Sequence, residues 1–299
     1  MTRLEGTFTA LITPFLSDGN VDFEAFEKIM QFQISQGIDG VVVGGSTGEN
    51  FALSATEKEQ MIKKAIEISA GRIKIIAGTG TNDTATSCRN TRAAFDLHAD
   101  AALVVAPFYN KPVQRALVEH YGKVADSAPE MPIIIYNVPG RTSVNILPET
   151  IVTIARKFEN VIAVKEASGN VEQMMAIIKD APEKFSLLSG DDSLTFPVVA
   201  AGGRGVISTI SNYLPGDFTK MTHLALEGKI NEARELHYKY FDLMNLNFIE
   251  TNPGPVKYVM SKLGLCNEVY RLPMTSLTDE HKTVINKELT KCGVLAETL

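Results

Sequence analysis

The segment that decides the architecture runs from 133 to 170 and reads IIIYNVPGRTSVNILPETIVTIARKFENVIAVKEASGN. It opens on the β-branched run Ile133–Tyr136, and a second such run, Ile162–Lys165, begins 29 residues later. A spacing of roughly 30 residues is that of one strand–helix unit joining two parallel strands. Outward from it, similar runs occur at Phe8–Ile12, Gly40–Val43, Ile73–Ala77, Ala101–Val105, Phe185–Leu188 and Gly205–Ile207, eight in all. Between them lie stretches with apolar residues at helical spacing, such as Phe23, Phe26, Ile29, Met30 and Ile34. Near-continuous apolar strands alternating with helices predict a parallel sheet covered on both faces. An open nucleotide-binding sheet would carry G-x-G-x-x-G or a P-loop, and GGSTGE (44–49), GTGTND (78–83) and GGRG (202–205) match neither. Eight units with Gly-rich turns predict an α/β fold, a (β/α)8 TIM barrel, over residues 1–225. The strand signal then stops. Three helical stretches, 228–247, 254–264 and 279–290, predict a C-terminal helical appendage over 226–299, expected to serve packing or oligomer contacts rather than chemistry.

Composition narrows the function. With 44% hydrophobic and 21% charged residues in 299, the chain is neither disordered nor fibrous. A net charge of −6 with no basic cluster argues against nucleic acid. Apolar runs such as Ala101–Ala106 fall far short of the roughly 20 residues that span a bilayer. Glu5 and the Thr13-Pro14 break do not suit a signal peptide. Cys88, Cys266 and Cys292, unpaired in number and without a CxxC motif, suit reduced thiols of a cytoplasmic protein and are expected as small buried hydrophobes. The five histidines lie in helical stretches without HExxH spacing, so neither a metal site nor a Ser-His-Asp triad is expected.

Chemistry in such a barrel belongs at the C-terminal ends of the strands. Those ends carry Ser46 and Thr47, Tyr109, Tyr136, Lys165, Gly190 and Ile207. Lys165 ends a buried strand, where desolvation disfavours the ammonium and frees an amine to attack a ketone. A lysine reaching from a strand end to solvent is the plainer alternative, and the residue alone leaves it open. Tyr136 ends the preceding strand, where a phenol can carry protons during imine chemistry or simply cap the core. Ser46 and Thr47 could relay protons and bind a small carboxylate, or serve only the turn. Arg141 is the nearest guanidinium and could clamp a carboxylate bidentately or lie on the surface. Gly190 and Ile207 would line the floor and wall.

GGSTGEN (44–50), YNVPGRT (136–142), VKEASGN (164–170) and NPGPVK (252–257), with RLPMTSL (271–277) beyond, together resemble the dihydrodipicolinate synthase / N-acetylneuraminate lyase family of class I aldolases. The resemblance covers essentially the whole chain. It implies a barrel with three C-terminal helices, usually a homotetramer built as a dimer of dimers, and no cofactor beyond a Schiff base of pyruvate on Lys165. The resulting enamine would add to an aldehyde. Tyr136 and Ser46 would form a proton relay with Tyr109, which reaches into the neighbouring subunit's site. Thr47 would bind the pyruvate carboxylate, near the Gly190 and Ile207 backbones, and Arg141 the carboxylate of aspartate semialdehyde. Synthases usually have Thr-Thr in the second turn, so Ser46 is similar to the sialic acid lyase branch, whereas Arg141 is similar to the synthase branch. Alternatives are a pyruvate-forming lyase and a non-catalytic barrel binding a small carboxylate. The lysine-inhibited synthases carry two histidines and a tyrosine where this chain has Ala55, Lys58 and Phe108, with Asn82 retained; weak or absent inhibition by lysine is expected, since the Lys58 cation would repel a bound ammonium.

Overall fold

The computed structural model describes residues 3–296. Eight parallel strands form a closed barrel in sequence order: β1 (Gly6–Ala10), β2 (Gly40–Val43), β3 (Lys74–Gly78), β4 (Ala101–Val105), β5 (Ile133–Asn137), β6 (Val161–Glu166), β7 (Ser186–Ser189) and β8 (Gly205–Ser208). The pairs Gly6↔Gly205 to Thr9↔Ser208 close the ring. Around it run α1 (Phe23–Ser35), α2 (Ala55–Ser69), α3 (Thr84–Asp96), α4 (Gln114–Ser127), α5 (Pro139–Thr142), α6 (Pro148–Lys157), α7 (Val171–Asp180), α8 (Thr195–Ala200) and α9 (Pro215–Leu226). Three more follow: α10 (Ile230–Leu246), α11 (Gly254–Lys262) and α12 (Asp279–Lys291).

The predicted strands and C-terminal helices all form, with ends shifted by a few residues at most. β1 lies earlier than Phe8–Ile12, because its ladder with β8 begins at Gly6 and the Ile12 N–H is taken instead by Asn212 Oδ1 at 3.0 Å. Local chemistry fixes several helix starts. Asp22, Asp83 and Asn170 accept from first-turn N–H groups of α1, α3 and α7, and Ser54 with Glu57 forms a reciprocal capping box on α2.

Alternation along each strand divides the apolar side chains between two compartments. Phe8, Val42, Ile76, Leu103, Ile134, Ala163, Leu188 and Ile207 pack inside the barrel. Their strand neighbours, such as Val41, Ile75, Ile135 and Val164, pack outward under the helices. Tyr240, Leu243, Val259, Ile285 and Leu289 of α10–α12 belong to that same outer cluster. The C-terminal helices thus share the barrel's core.

Two expectations change in detail. The three cysteines are free but partly exposed rather than buried; the Cys88 and Cys292 thiols lie 3.3 Å from the carbonyls of Lys123 and Lys239. His98 lies just past α3 with a φ of 66°, in the turn leading to β4, rather than in a helix. No helix among the described residues is long and apolar enough to cross a membrane. Among the same residues, no three His, Cys, Asp or Glu side chains cluster closely enough to hold a metal.

Candidate active site

The β5–β6 register places Tyr136 opposite Lys165. The Lys165 Nζ lies 4.4 Å from the centroid of the Tyr136 ring, and each residue is only 6% exposed. Inward parity, shared with Ala163, points this lysine up the barrel interior. The plainer alternative, a lysine reaching out to solvent, does not describe it. Asp191, just past β7, is the charged neighbour: burial raises its carboxyl pKa, and the positive charge of Lys165 works against that rise.

Outward parity sends the next residue, Glu166, into a polar cluster behind the strand. Its carboxylate is fully buried and accepts from Asn137 Nδ2 at 2.9 Å, Gln173 Nε2 at 3.1 Å and the Ser168 N–H at 2.8 Å. Burial raises its pKa against those donors. Asn137 follows Tyr136 and Glu166 follows Lys165, so their bond locks the ends of β5 and β6 together just behind the amine and the phenol.

Ser46 and Tyr136 line one small hollow of about 20 Å³. Ser46 also lines a larger cavity of about 380 Å³ at the mouth, with Val138, Arg141 and Phe108 among its other walls. Lys165, at the end of β6, lines neither this cavity nor the small hollow. Thr47 is buried behind Ser46, its hydroxyl accepting from Asn252 Nδ2 at 2.9 Å. Arg141 donates to the Asn252 carbonyl at 3.2 Å.

Gly190 is required by space. Its N–H donates to the Glu166 carbonyl at 2.7 Å, and a Cβ there would come within 2.4 Å of the Ala167 Cβ. Ile207 is fully buried on β8, within the interior cluster that includes Tyr136. Tyr109 stands apart from these groups: it is 88% exposed, with a φ of 72°, and lines neither hollow. Phe51 and Phe108 pack edge to face 5.0 Å apart near the rim. Ala55 and Lys58 line a separate hollow of about 40 Å³ beside α2, where burial lowers the Lys58 pKa.

Beyond the packing or oligomer contacts expected of it, the C-terminal region also reaches the mouth cavity. Asn252, Pro253 and the segment Arg271–Met274 form one wall of the mouth cavity. Lys257, wholly buried, donates to Glu49 of the second-strand turn and to the Val269 carbonyl at 2.9 Å. Arg271 pairs with Glu57 and donates to the Ala52 carbonyl at 2.7 Å. The motifs NPGPVK and RLPMTSL marked this region in the sequence; nothing in their spacing says that they touch the GGSTGEN turn.

A closed barrel with a buried amine beside a phenol at its C-terminal mouth is the kind of site an amine-dependent barrel enzyme uses. Comparison with known proteins makes the class specific. The model of the dihydrodipicolinate synthetase family matches residues 3–292, and the chain belongs to that family. It is 43% identical to the 4-hydroxy-tetrahydrodipicolinate synthase of Methanocaldococcus jannaschii, over 97% of this chain and 99% of that protein. The synthase of Aquifex aeolicus is 45% identical over 96% of this chain and 97% of its own. The crystal structure of the Aquifex aeolicus enzyme superposes with a TM-score of 0.95 at 44% identity, covering 98% of this chain and all of that one. The chloride-inhibited dihydrodipicolinate synthase of Acinetobacter baumannii, in complex with pyruvate, is 38% identical with a TM-score of 0.95, covering 97% and 99% of the two chains. These relatives lie on the synthase side that Arg141 pointed to, not the lyase side suggested by Ser46.

Proposed function

We propose that this chain is a lyase-class enzyme condensing pyruvate with L-aspartate-4-semialdehyde to 4-hydroxy-tetrahydrodipicolinate, in lysine and diaminopimelate biosynthesis. The observation that carries the reading is Lys165, buried at the end of β6 and set in register against Tyr136, in a chain so similar to named synthases.

In this reading the Lys165 amine attacks the keto carbon of pyruvate, and loss of water leaves an imine. The protonated imine is the electron sink: it lets the methyl carbon give up a proton and attack the aldehyde as an enamine, with no metal or organic cofactor needed. The amino group of the added semialdehyde then attacks the imine carbon, closing the ring and expelling the Lys165 amine. Tyr136 and Ser46, which share a hollow, carry protons during imine formation and carbon–carbon bonding. Thr47 and the turn N–H groups take the pyruvate carboxylate, with Gly190 and Ile207 beneath. Arg141, in the cavity wall, takes the carboxylate of the aldehyde. Tyr109, exposed in a single chain, completes the relay of a neighbouring subunit in a homotetramer. Residues 1–225 are the catalytic barrel and 226–299 a C-terminal helical region, part of which lines the mouth cavity. Free thiols at all three cysteines fit a cytoplasmic enzyme.

Borohydride reduction in the presence of pyruvate tests the reading. It is expected to leave a covalent adduct on Lys165, located by peptide mass, that Lys165→Ala lacks. Absence of the adduct, or failure of the wild type to consume aspartate semialdehyde with pyruvate, overturns it.

A further inference from the structure

We propose that Asn252 is a positioning residue that sets the hydroxyl of Thr47 for the pyruvate carboxylate and holds Arg141 at a fixed place beside it. The inference rests on the roles given above to Thr47 and Arg141, and deepens them.

Asn252 is 5% exposed and forms part of the cavity wall, in the segment between α10 and α11. Its two ends do different work. The side-chain Nδ2 donates to Thr47 Oγ1 at 2.9 Å, and the backbone carbonyl accepts from Arg141 Nη2 at 3.2 Å. A hydroxyl has one proton and two acceptor sites. Because Thr47 accepts from Asn252, it keeps its proton for an anion. With the amide reversed, Thr47 would donate to Asn252 and turn only lone pairs toward a carboxylate. In this orientation Asn252 Oδ1 is buried and has no partner among the described residues. The segment itself is fixed from behind, since the Tyr270 hydroxyl donates to the Gly254 carbonyl at 2.9 Å. One residue of the C-terminal region therefore ties together the groups assigned to the two substrate carboxylates.

The geometry separates the two substrates in a test. Asn252→Ala removes the donor to Thr47 but keeps the backbone carbonyl that Arg141 uses. The KM for pyruvate is expected to rise about tenfold, the loss of one buried hydrogen bond, while that for aspartate semialdehyde moves less than threefold. Asn252→Asp has nearly the same shape but can only accept. It takes the Thr47 proton and adds a negative charge, so the pyruvate KM is expected to rise further, on the order of a hundredfold. In a Thr47→Val background, Asn252→Ala should change the pyruvate KM less than twofold, because the partner is already gone.

A structural role alone would raise both KM values together and persist in the Thr47→Val background; that result overturns the inference. So does a wild-type pyruvate KM in both Asn252 variants. A wild type that gives no borohydride adduct with pyruvate overturns the condensation reading along with it. A wild type that gives the adduct, with additive Asn252 and Thr47 effects, overturns this inference alone.

Discussion

Lys257→Met removes a cation from the driest ion pair in the described residues while keeping an apolar stem of similar length. The Lys257 and Glu49 side chains are 0% and 2% exposed. The ammonium also lies 4.3 Å from the centroid of the Phe15 ring. Burial lowers the Lys257 pKa even against the attraction of Glu49. Taking the lysine away leaves Glu49 with the Arg271 N–H at 3.4 Å as its remaining donor from the C-terminal region. Leaving a buried charge unpaired costs about 3–5 kcal/mol. At about 2–4 °C per kcal/mol for a domain somewhat smaller than this one, the melting temperature should fall by roughly 10 °C. The chain has no tryptophan, so urea unfolding is best followed by far-ultraviolet circular dichroism. Lys257→Met with Glu49→Gln removes both charges and should recover at least half the loss, because the penalty lies in the orphaned carboxylate rather than in the missing attraction. A single variant losing under about 1 kcal/mol, or a double variant as unstable as the single, would refute the reasoning.

Three further outcomes are expected. Tyr136→Phe should retain the borohydride-trapped pyruvate adduct but lower kcat by about 10²- to 10⁴-fold, the worth of a positioned proton carrier. L-Lysine at millimolar concentration should leave the initial rate nearly unchanged, because Lys58, whose cation would repel a bound ammonium, lines the hollow beside Ala55; strong inhibition below millimolar would contradict this. Stability against pH should show two opposed slopes. Burial holds His120 down at about 4, so its contribution is present above the ordinary imidazole pKa and is lost as pH falls from about 6.5 to 4. Burial pushes Asp192 up to about 6, so its contribution is present at low pH and is lost as pH rises from about 4 to 6. Each shift is worth about 3 kcal/mol, and they nearly cancel in the wild type. Urea titrations at pH 4.5 and pH 7 should therefore show His120→Gln gaining stability in acid and Asp192→Asn losing it.

The barrel was legible because its strands repeat at the length of a strand–helix unit and are apolar on both faces, a pattern that needs no tertiary knowledge. The pairing of Tyr136 with Lys165 was legible for a related reason: consecutive strands in a barrel are neighbours, and both residues end their strands. Asn252 and Lys257 were not legible as partners of the rim. Their bonds to Thr47 and Glu49 join residues 205 and 208 positions apart, and no periodicity carries information over such a separation. Glu166 was hidden differently. Beside Lys165 in sequence, it reads as part of the same rim, but strand alternation sends it to the opposite face and into a cluster with Asn137 and Gln173.

The two buried clusters solve complementary problems around one amine. In the proposed reading the Lys165 amine needs a fixed approach, and groups fixing it from inside the barrel would fill the space the substrate must occupy. Part of that fixing comes from behind the strand ends. On one side Glu166 and Asn137 bind β6 to β5 behind Lys165 and Tyr136, holding the strand ends in register without entering the interior. On the other, Asn252, Lys257 and Arg271 of the C-terminal region bond to Thr47, Glu49 and Ala52 in and after the second-strand turn, Asn252 and Arg271 from the wall of the mouth cavity. Glu49, at a left-handed φ of 52°, is where that turn departs from relaxed backbone, and it is also where the buried lysine binds. The C-terminal helices pack into the barrel's outer core through Leu243, Val259 and Ile285, so the apolar contacts that stabilise them also hold these polar anchors in place. The same C-terminal region therefore carries both the apolar packing against the barrel and the polar bonds to the turn.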